Sequence, residues 1–407
     1  MTGAAGRALL VENIHDRGVR VLADAGFEVV TRGGALDEDE LIAALDGVDY
    51  LGIRSTTFVT KRVLELRPQL KAIGAFCIGT NQVDLDAAAE RGVAVFNAPY
   101  SNTRSVVEMA IAEIITMARR LYDRSADMHR GQWNKSAAGS HELRGRTLGI
   151  VGYGSIGSQL SVVAEAMGMN VWFYDIDDKL AIGNARRCAT LDELLAGVDV
   201  VSLHVDGRAG NAGFFSREQF AAMKPGALFL NLSRGLLIDQ RALRDALVSG
   251  MVGGAALDVF EDEPRARKSA WDSPLRGLEN VILTPHVAGS TQEAQEDIGR
   301  FVAGKLVDYA QRGTSQLNVN LPQCSVGTVT VGSRVLHLHD NRPGVLAEIG
   351  TILGAAGLNV TAQQLTTHGS TGYAVSDLDT LPSRDTLQQL GDIDGTRRLR
   401  VVTPPPS

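Results

Sequence analysis

The feature that most restricts this chain is Gly152-Tyr-Gly154-Ser-Ile-Gly157, set between an apolar stretch at 147–151 and a helical pattern running towards Met167. A second apolar stretch, 170–174, ends at Asp175, 18 residues after Gly157. Three glycines at this spacing are weak evidence alone. Between a strand and a helix, with an acid closing the next strand, they specify a dinucleotide-binding turn. Gly152 permits the tight turn, Gly154 lets backbone approach a pyrophosphate, and Gly157 lets helix and strand pack closely. Free N–H groups and the dipole at the helix start attract phosphate charge. Asp175 can accept hydrogen bonds from an adenosine ribose and repels a 2′-phosphate. Asp177 and Asp178 add to that repulsion, so NAD is expected over NADP.

The surroundings of this turn extend the same pattern. Short β-branched and leucine runs at 8–11, 28–31, 50–53, 71–75 and 94–97 alternate with helical periodicity, and a new strand–helix series begins at Thr147. This rhythm implies parallel sheets covered by helices. Apolar positions from Ser105 to Leu121 are too dense for one stripe, which predicts a helix buried on most sides, either in a core or at a subunit contact. A helix at 291–311 would return the chain to its first domain. The expected fold class is α/β: two doubly wound, Rossmann-like parallel sheets, one inserted into the other, followed by a C-terminal α+β β-α-β-β-α-β domain. The expected boundaries are 1–102 with 290–320, then 103–289, then 333–407, with a linker at 312–333. Forty basic against 47 acidic residues give a net charge of -7, which argues against non-specific binding to nucleic acid or anionic membrane. No stretch has the length and apolarity of a membrane span. Cys77, Cys188 and Cys324 lie far apart without metal-binding spacing, so a reducing cytoplasm and no metal are expected.

A dinucleotide site does not name a reaction. Hydride transfer from a hydroxy acid also needs a base for the hydroxyl proton, a cation for the carboxylate and a group that tunes the base. His286, in Leu283-Thr-Pro-His286, follows an apolar strand, at the end of a parallel sheet where ligands bind. Glu263, in Asp258-Val-Phe-Glu-Asp-Glu263-Pro264, is the carboxylate expected to raise the imidazole pKa and fix its ring. Arg234 follows the strand at 227–231, where a guanidinium can grip a carboxylate and polarise the neighbouring carbonyl.

With this trio in place the chain resembles the D-2-hydroxyacid dehydrogenases over essentially its whole length. The resemblance is closest to the branch that oxidises 3-phospho-D-glycerate to 3-phosphohydroxypyruvate, the first step of L-serine biosynthesis. It is carried by Phe76-Cys-Ile-Gly-Thr-Asn-Gln-Val-Asp84, Phe96-Asn-Ala-Pro99, Ser101-Asn-Thr-Arg-Ser105, His129-Arg-Gly-Gln-Trp-Asn-Lys135 and Thr284-Pro-His-Val-Ala-Gly-Ser-Thr-Gln-Glu-Ala-Gln295. The resemblance implies that Arg234, Glu263 and His286 are catalytic. It implies that the first domain binds substrate through Arg54 and Ser55, joined by Asn102, Arg234, and Lys135 reaching across a subunit contact to the phosphate. For the cofactor it implies Gly152, Gly154, Ser155, Ile156, Gly157, Asp175, His204, Asp258, His286 and Gly289. It also implies a homotetramer and a side activity on 2-ketoglutarate or 2-hydroxyglutarate. The loop 206–215 departs from the family, in which a proline is common at the position of Asp206. Competing readings are a reductase for other 2-keto acids, indifferent to Lys135 and Arg54, and a non-catalytic NAD-sensing scaffold, which the intact trio disfavours.

Residues 335–402 resemble an ACT domain, an amino-acid-binding module. The matching segments are His337-Leu-His339-Asp-Asn341-Arg-Pro-Gly344-Val345 and Gly357-Leu-Asn359-Val360. The resemblance implies that His339, Asn341 and Asn359 hold L-serine as a feedback effector. The alternative is a dimerisation module without a ligand.

Overall fold

Short apolar strands separated by amphipathic helices can bury both sheet faces only as parallel layers. The computed structural model, which describes residues 5–264 and 269–404, has that arrangement twice. The chain divides into two units, Met1–Ser101 with Gln295–Ser407, and Asn102–Ala294.

The first unit begins with strands β1 (Arg7–Leu10), β2 (Glu28–Thr31), β3 (Tyr50–Ile53), β4 (Ala72–Ala75) and β5 (Ala94–Phe96). They form a parallel sheet in the order β2-β1-β3-β4-β5. Connections from β1 leave in both directions, which puts a topological switch point between β1 and β3. The long helix Gln292–Arg312 returns to this sheet and buries Val302, Leu306 and Tyr309 against it.

The second unit holds β6 (Thr147–Val151), β7 (Asn170–Tyr174), β8 (Arg186–Arg187), β9 (Val200–Leu203), β10 (Ala227–Asn231), β11 (Val252–Leu257) and β12 (Val281–Leu283). Their order is β12-β11-β10-β9-β6-β7-β8, all parallel. The switch point here lies between β6 and β9. Strand β7 and the helix Ser155–Ala166 fall where the sequence pattern put them.

The C-terminal residues form β13 (Ser333–Asp340), β14 (Val360–His368), β15 (Thr371–Leu378) and β16 (Thr396–Val402), an antiparallel sheet ordered β14-β15-β13-β16. With helices Val345–Ala355 and Arg384–Gly391 this is the expected β-α-β-β-α-β succession. Val335, Ile349, Leu353 and Leu390 fill the space between sheet and helices.

Two expectations change. The helix predicted through Leu121 stops earlier: it spans Thr103–Arg119, Arg120 turns left-handed (φ 52°), and a second helix follows at Leu121–His129. The first half of the expected linker, to Cys324, is packed into the fold. Ser315, Asn318, Leu321 and Cys324 are buried in it, and Asn320 bonds to the main chain of Val93 and Val95 on the first sheet. The C-terminal sheet shares that core. Leu336, Leu338 and Tyr373 pack in one cluster with Phe96, Tyr309 and Cys324. Tyr373 Oη donates to the Gly313 carbonyl (2.6 Å), and the Arg400 guanidinium lies 4.4 Å from the Tyr309 ring centroid and donates to its carbonyl. Turn-forming composition reads as a linker, but side-chain amides and hydroxyls here satisfy the main chain that regular structure would otherwise pair.

Candidate active site

The cofactor turn is built by close approach. Gly152 adopts φ 91°, and a side chain there would meet the His204 carbonyl oxygen at 2.5 Å. The turn after β6 thus presses on the end of β9, at the switch point. A side chain at Gly157 would strike the Gly152 carbonyl and the Ile150 side chain, whereas Gly154 faces open space. Ser155 and Ile156 open the helix, and Gly154 caps it without a side-chain acceptor, leaving its first N–H groups to a ligand. Asp175 is half-buried and accepts N–H bonds from Tyr153 (2.7 Å) and Asp177 (2.9 Å), so its carboxylate is fixed beside the turn. These features fit a bound dinucleotide. His204 is half-buried, with Nε2 on Ser202 Oγ (2.9 Å), and desolvation of the ring pushes its pKa down to about 4. It is therefore a neutral group.

The three candidate catalytic residues converge in the second unit. His286 Nδ1 lies 2.7 Å from Glu263 Oε2, and Glu263 Oε1 accepts the Phe260 N–H at 2.9 Å. The bond to Glu263 raises the His286 pKa above its ordinary value, against an opposing effect of burial. Burial pushes the Glu263 carboxyl up, but the bonds from His286 and the Phe260 amide outweigh it and hold the carboxyl low. The charge of Arg234 acts on both groups. Main-chain contact joins them as well: a side chain at Gly235 would run into the Phe260 carbonyl group, so the Arg234 turn packs on the backbone leading to Glu263. His286 itself sits at φ 55°, a left-handed strain that a non-glycine residue tolerates only where its surroundings impose it.

Asp258 supplies much of that constraint. The carboxylate is fully buried and accepts from Thr284 Oγ1 (2.6 Å), Val287 N (2.9 Å) and Ala288 N (2.8 Å), holding the loop on both sides of His286. Its reach into that loop was not legible in the sequence. Gly289 continues the loop, and a side chain there would collide with Asn102. Lys135 is exposed in the polar segment and has no ion-pair partner among the described residues.

Sequence reasoning missed Glu113. It lies on the helix Thr103–Arg119, is 5% exposed, and neither carboxyl oxygen has a hydrogen-bond partner among the described residues. Burial and then the Asp258 charge push its pKa up to about 8, from an ordinary 4.5. The folded chain thus keeps a proton that the unfolded chain releases. Stability should fall as pH rises from about 4.5 to about 8, by roughly 3 kcal/mol at pH 7. Glu113→Gln removes that dependence. Urea unfolding should find the variant more stable than the parent at pH 7–8, with the gap closing near pH 5; an equal gap at both pH values would contradict this.

In the first unit, Arg54 and Ser55 follow β3 at the carboxyl end of the sheet. Glu12, also absent from the sequence reading, accepts the N–H groups of Arg54, Thr56 and Thr57. In the C-terminal sheet His339 is 2% exposed, with Nδ1 on the Asp340 carbonyl, whereas Asn341 and Asn359 are exposed. The structure therefore does not present these three side chains alike.

Residues 111–288 match the family model of the D-isomer specific 2-hydroxyacid dehydrogenase, NAD binding domain. D-3-phosphoglycerate dehydrogenase of Haemophilus influenzae is 48% identical over 395 residues, covering 97% of this chain and 96% of the relative. The Escherichia coli protein of the same name is 47% identical over 397 residues, covering 97% of each. Among solved structures, a D-lactate dehydrogenase from Aquifex aeolicus complexed with NAD and lactic acid superposes with a TM-score of 0.65 at 27% identity, covering 74% of this chain and 95% of the other.

Proposed function

The chain belongs to the D-isomer specific 2-hydroxyacid dehydrogenases and is an NAD-dependent oxidoreductase, and from that premise we propose that it oxidises 3-phospho-D-glycerate to 3-phosphohydroxypyruvate. The observation that carries the chemistry is the 2.7 Å contact of His286 with Glu263, within the field of Arg234.

Bound NAD supplies the acceptor for the hydride leaving C2. His286 Nε2, the ring nitrogen not engaged by Glu263, takes the C2 hydroxyl proton. Glu263 fixes the ring orientation and stabilises the imidazolium that forms. Arg234 binds the substrate carboxylate and stabilises charge on the C2 oxygen. Asp258 keeps the His286 loop in register. Arg54, Ser55, Asn102 and Lys135 are assigned to the phosphorylated end of the substrate, which needs cations in a chain of net charge -7.

The finer assignments belong to the same reading. L-Serine is proposed as an effector of the C-terminal domain through His339, Asn341 and Asn359. A homotetramer is supported by Trp133, 80% exposed two residues before Lys135, and by the exposed edge strand β14. No helix is long and apolar enough to cross a membrane among the described residues, and a cytoplasmic location is proposed.

The test is NADH oxidation with 3-phosphohydroxypyruvate beside hydroxypyruvate and 2-ketoglutarate, each with and without millimolar L-serine. The expected result is a strong preference for the phosphorylated acid and suppression by serine. Equal rates on the unphosphorylated acids would overturn the substrate assignment, and indifference to serine the effector assignment.

A further inference from the structure

In an open parallel sheet, ligands bind beyond the carboxyl ends of the strands where the connections change direction. In the first sheet that place lies between β1 and β3. Glu12 stands just after β1, and Arg54 just after β3.

Their arrangement is specific. Glu12 is 8% exposed, and both it (φ 63°) and Asn13 (φ 52°) take the left-handed backbone, which turns the carboxylate back over the sheet end. Oε1 accepts from Arg54 N (3.1 Å) and Thr57 N (2.8 Å), and Oε2 accepts from Thr56 N (3.0 Å). Gln82, 6% exposed, donates Nε2 to the Arg54 carbonyl at 2.6 Å. Two buried side chains from separate segments therefore hold both the N–H and the C=O of Arg54. The guanidinium has no hydrogen bond or ion pair among the described residues.

We infer that Glu12 and Gln82 are positioning residues that aim Arg54 at the substrate phosphate and so set the preference for a phosphorylated 2-hydroxy acid. The inference rests on the assignment of Arg54 to that phosphate. Three converging N–H donors require an acceptor with two oxygens, which a carboxylate provides and a glutamine does not. Fixing the main chain in advance leaves only side-chain rotamers to be ordered when the anion arrives, which lowers the entropy cost of binding. Glu12 and Gln82 do this without touching the substrate.

The experiment compares Glu12→Gln, Gln82→Leu and Arg54→Ala in steady-state kinetics with 3-phosphohydroxypyruvate and with hydroxypyruvate, alongside NADH binding and thermal unfolding. The expected result for Glu12→Gln and Gln82→Leu is a KM for the phosphorylated acid raised about tenfold. Its kcat should stay near the parent's, and the KM for hydroxypyruvate should move much less. An equal rise for both acids, or an unchanged KM in both variants while Arg54→Ala raises it, overturns the inference. If Arg54→Ala itself leaves the phosphorylated acid unaffected, the underlying assignment of Arg54 fails instead. Should Glu12→Gln not fold, Gln82→Leu decides alone, because it leaves the buried carboxylate in place.

Discussion

Replacing His286 by alanine is expected to lower turnover by about 10²–10⁴-fold while leaving NADH binding near its parent value. In the proposed mechanism the ring moves the C2 proton, and the glycine turn at Gly152–Gly157 assigned to the dinucleotide lies in a different loop. Stopped-flow measurement of turnover, with NADH fluorescence titration, separates the two effects. Near-normal turnover would remove His286 from its role. Glu263→Gln provides the companion measurement. Glu263 raises the His286 pKa, so losing its charge lowers it. Oxidation needs the neutral ring, so its acid limb should move to lower pH in the variant. Reduction needs the protonated ring, so its alkaline limb should move to lower pH too. A variant limb unmoved in either direction would mean that another group sets the profile.

Arg234→Lys is expected to reduce kcat/KM by about 10²–10³-fold, although the charge is conserved. A lysine ammonium is a point charge and cannot grip a carboxylate through two parallel N–H bonds while also facing the C2 oxygen. The loss should fall on kcat and KM together, because the contact proposed for Arg234 is made to substrate and would strengthen as charge develops on that oxygen. The Arg234 turn is also packed on the Phe260 backbone through Gly235. A lysine variant with an unaltered His286 pH profile would show that the damage stays with the guanidinium; a shifted profile would show that Glu263 had moved with it.

Fold class and chemistry were legible in the order of residues alone. Strand–turn–helix spacing around Gly152 and Asp175 reports a local geometry, and local geometry is written in consecutive residues. Arg234, Glu263 and His286 were legible for a related reason: each follows a strand of one parallel sheet, and such strand ends share one edge. The β-α-β-β-α-β order of the last seventy or so residues was legible from periodicity alone. Contacts between segments distant in the chain were not legible there, because they exist only once the strands have paired. Asp258 reads as a strand-end acid, and its hold on Val287 and Ala288 exists only once β11 and β12 pair. Glu12 looks like a polar residue after an apolar run until β1 and β3 become neighbours and three N–H groups converge on it. Glu113 sits at an apolar position of a helix, where sequence pattern expects a hydrophobe; only the packing around it decides that a carboxyl is buried there and keeps its proton. Residues 312–333 read as a linker because composition records the absence of periodicity. The burial of Ser315, Asn318, Leu321 and Cys324 among them follows from side chains that satisfy the main chain one bond at a time, a form of order that leaves no period behind.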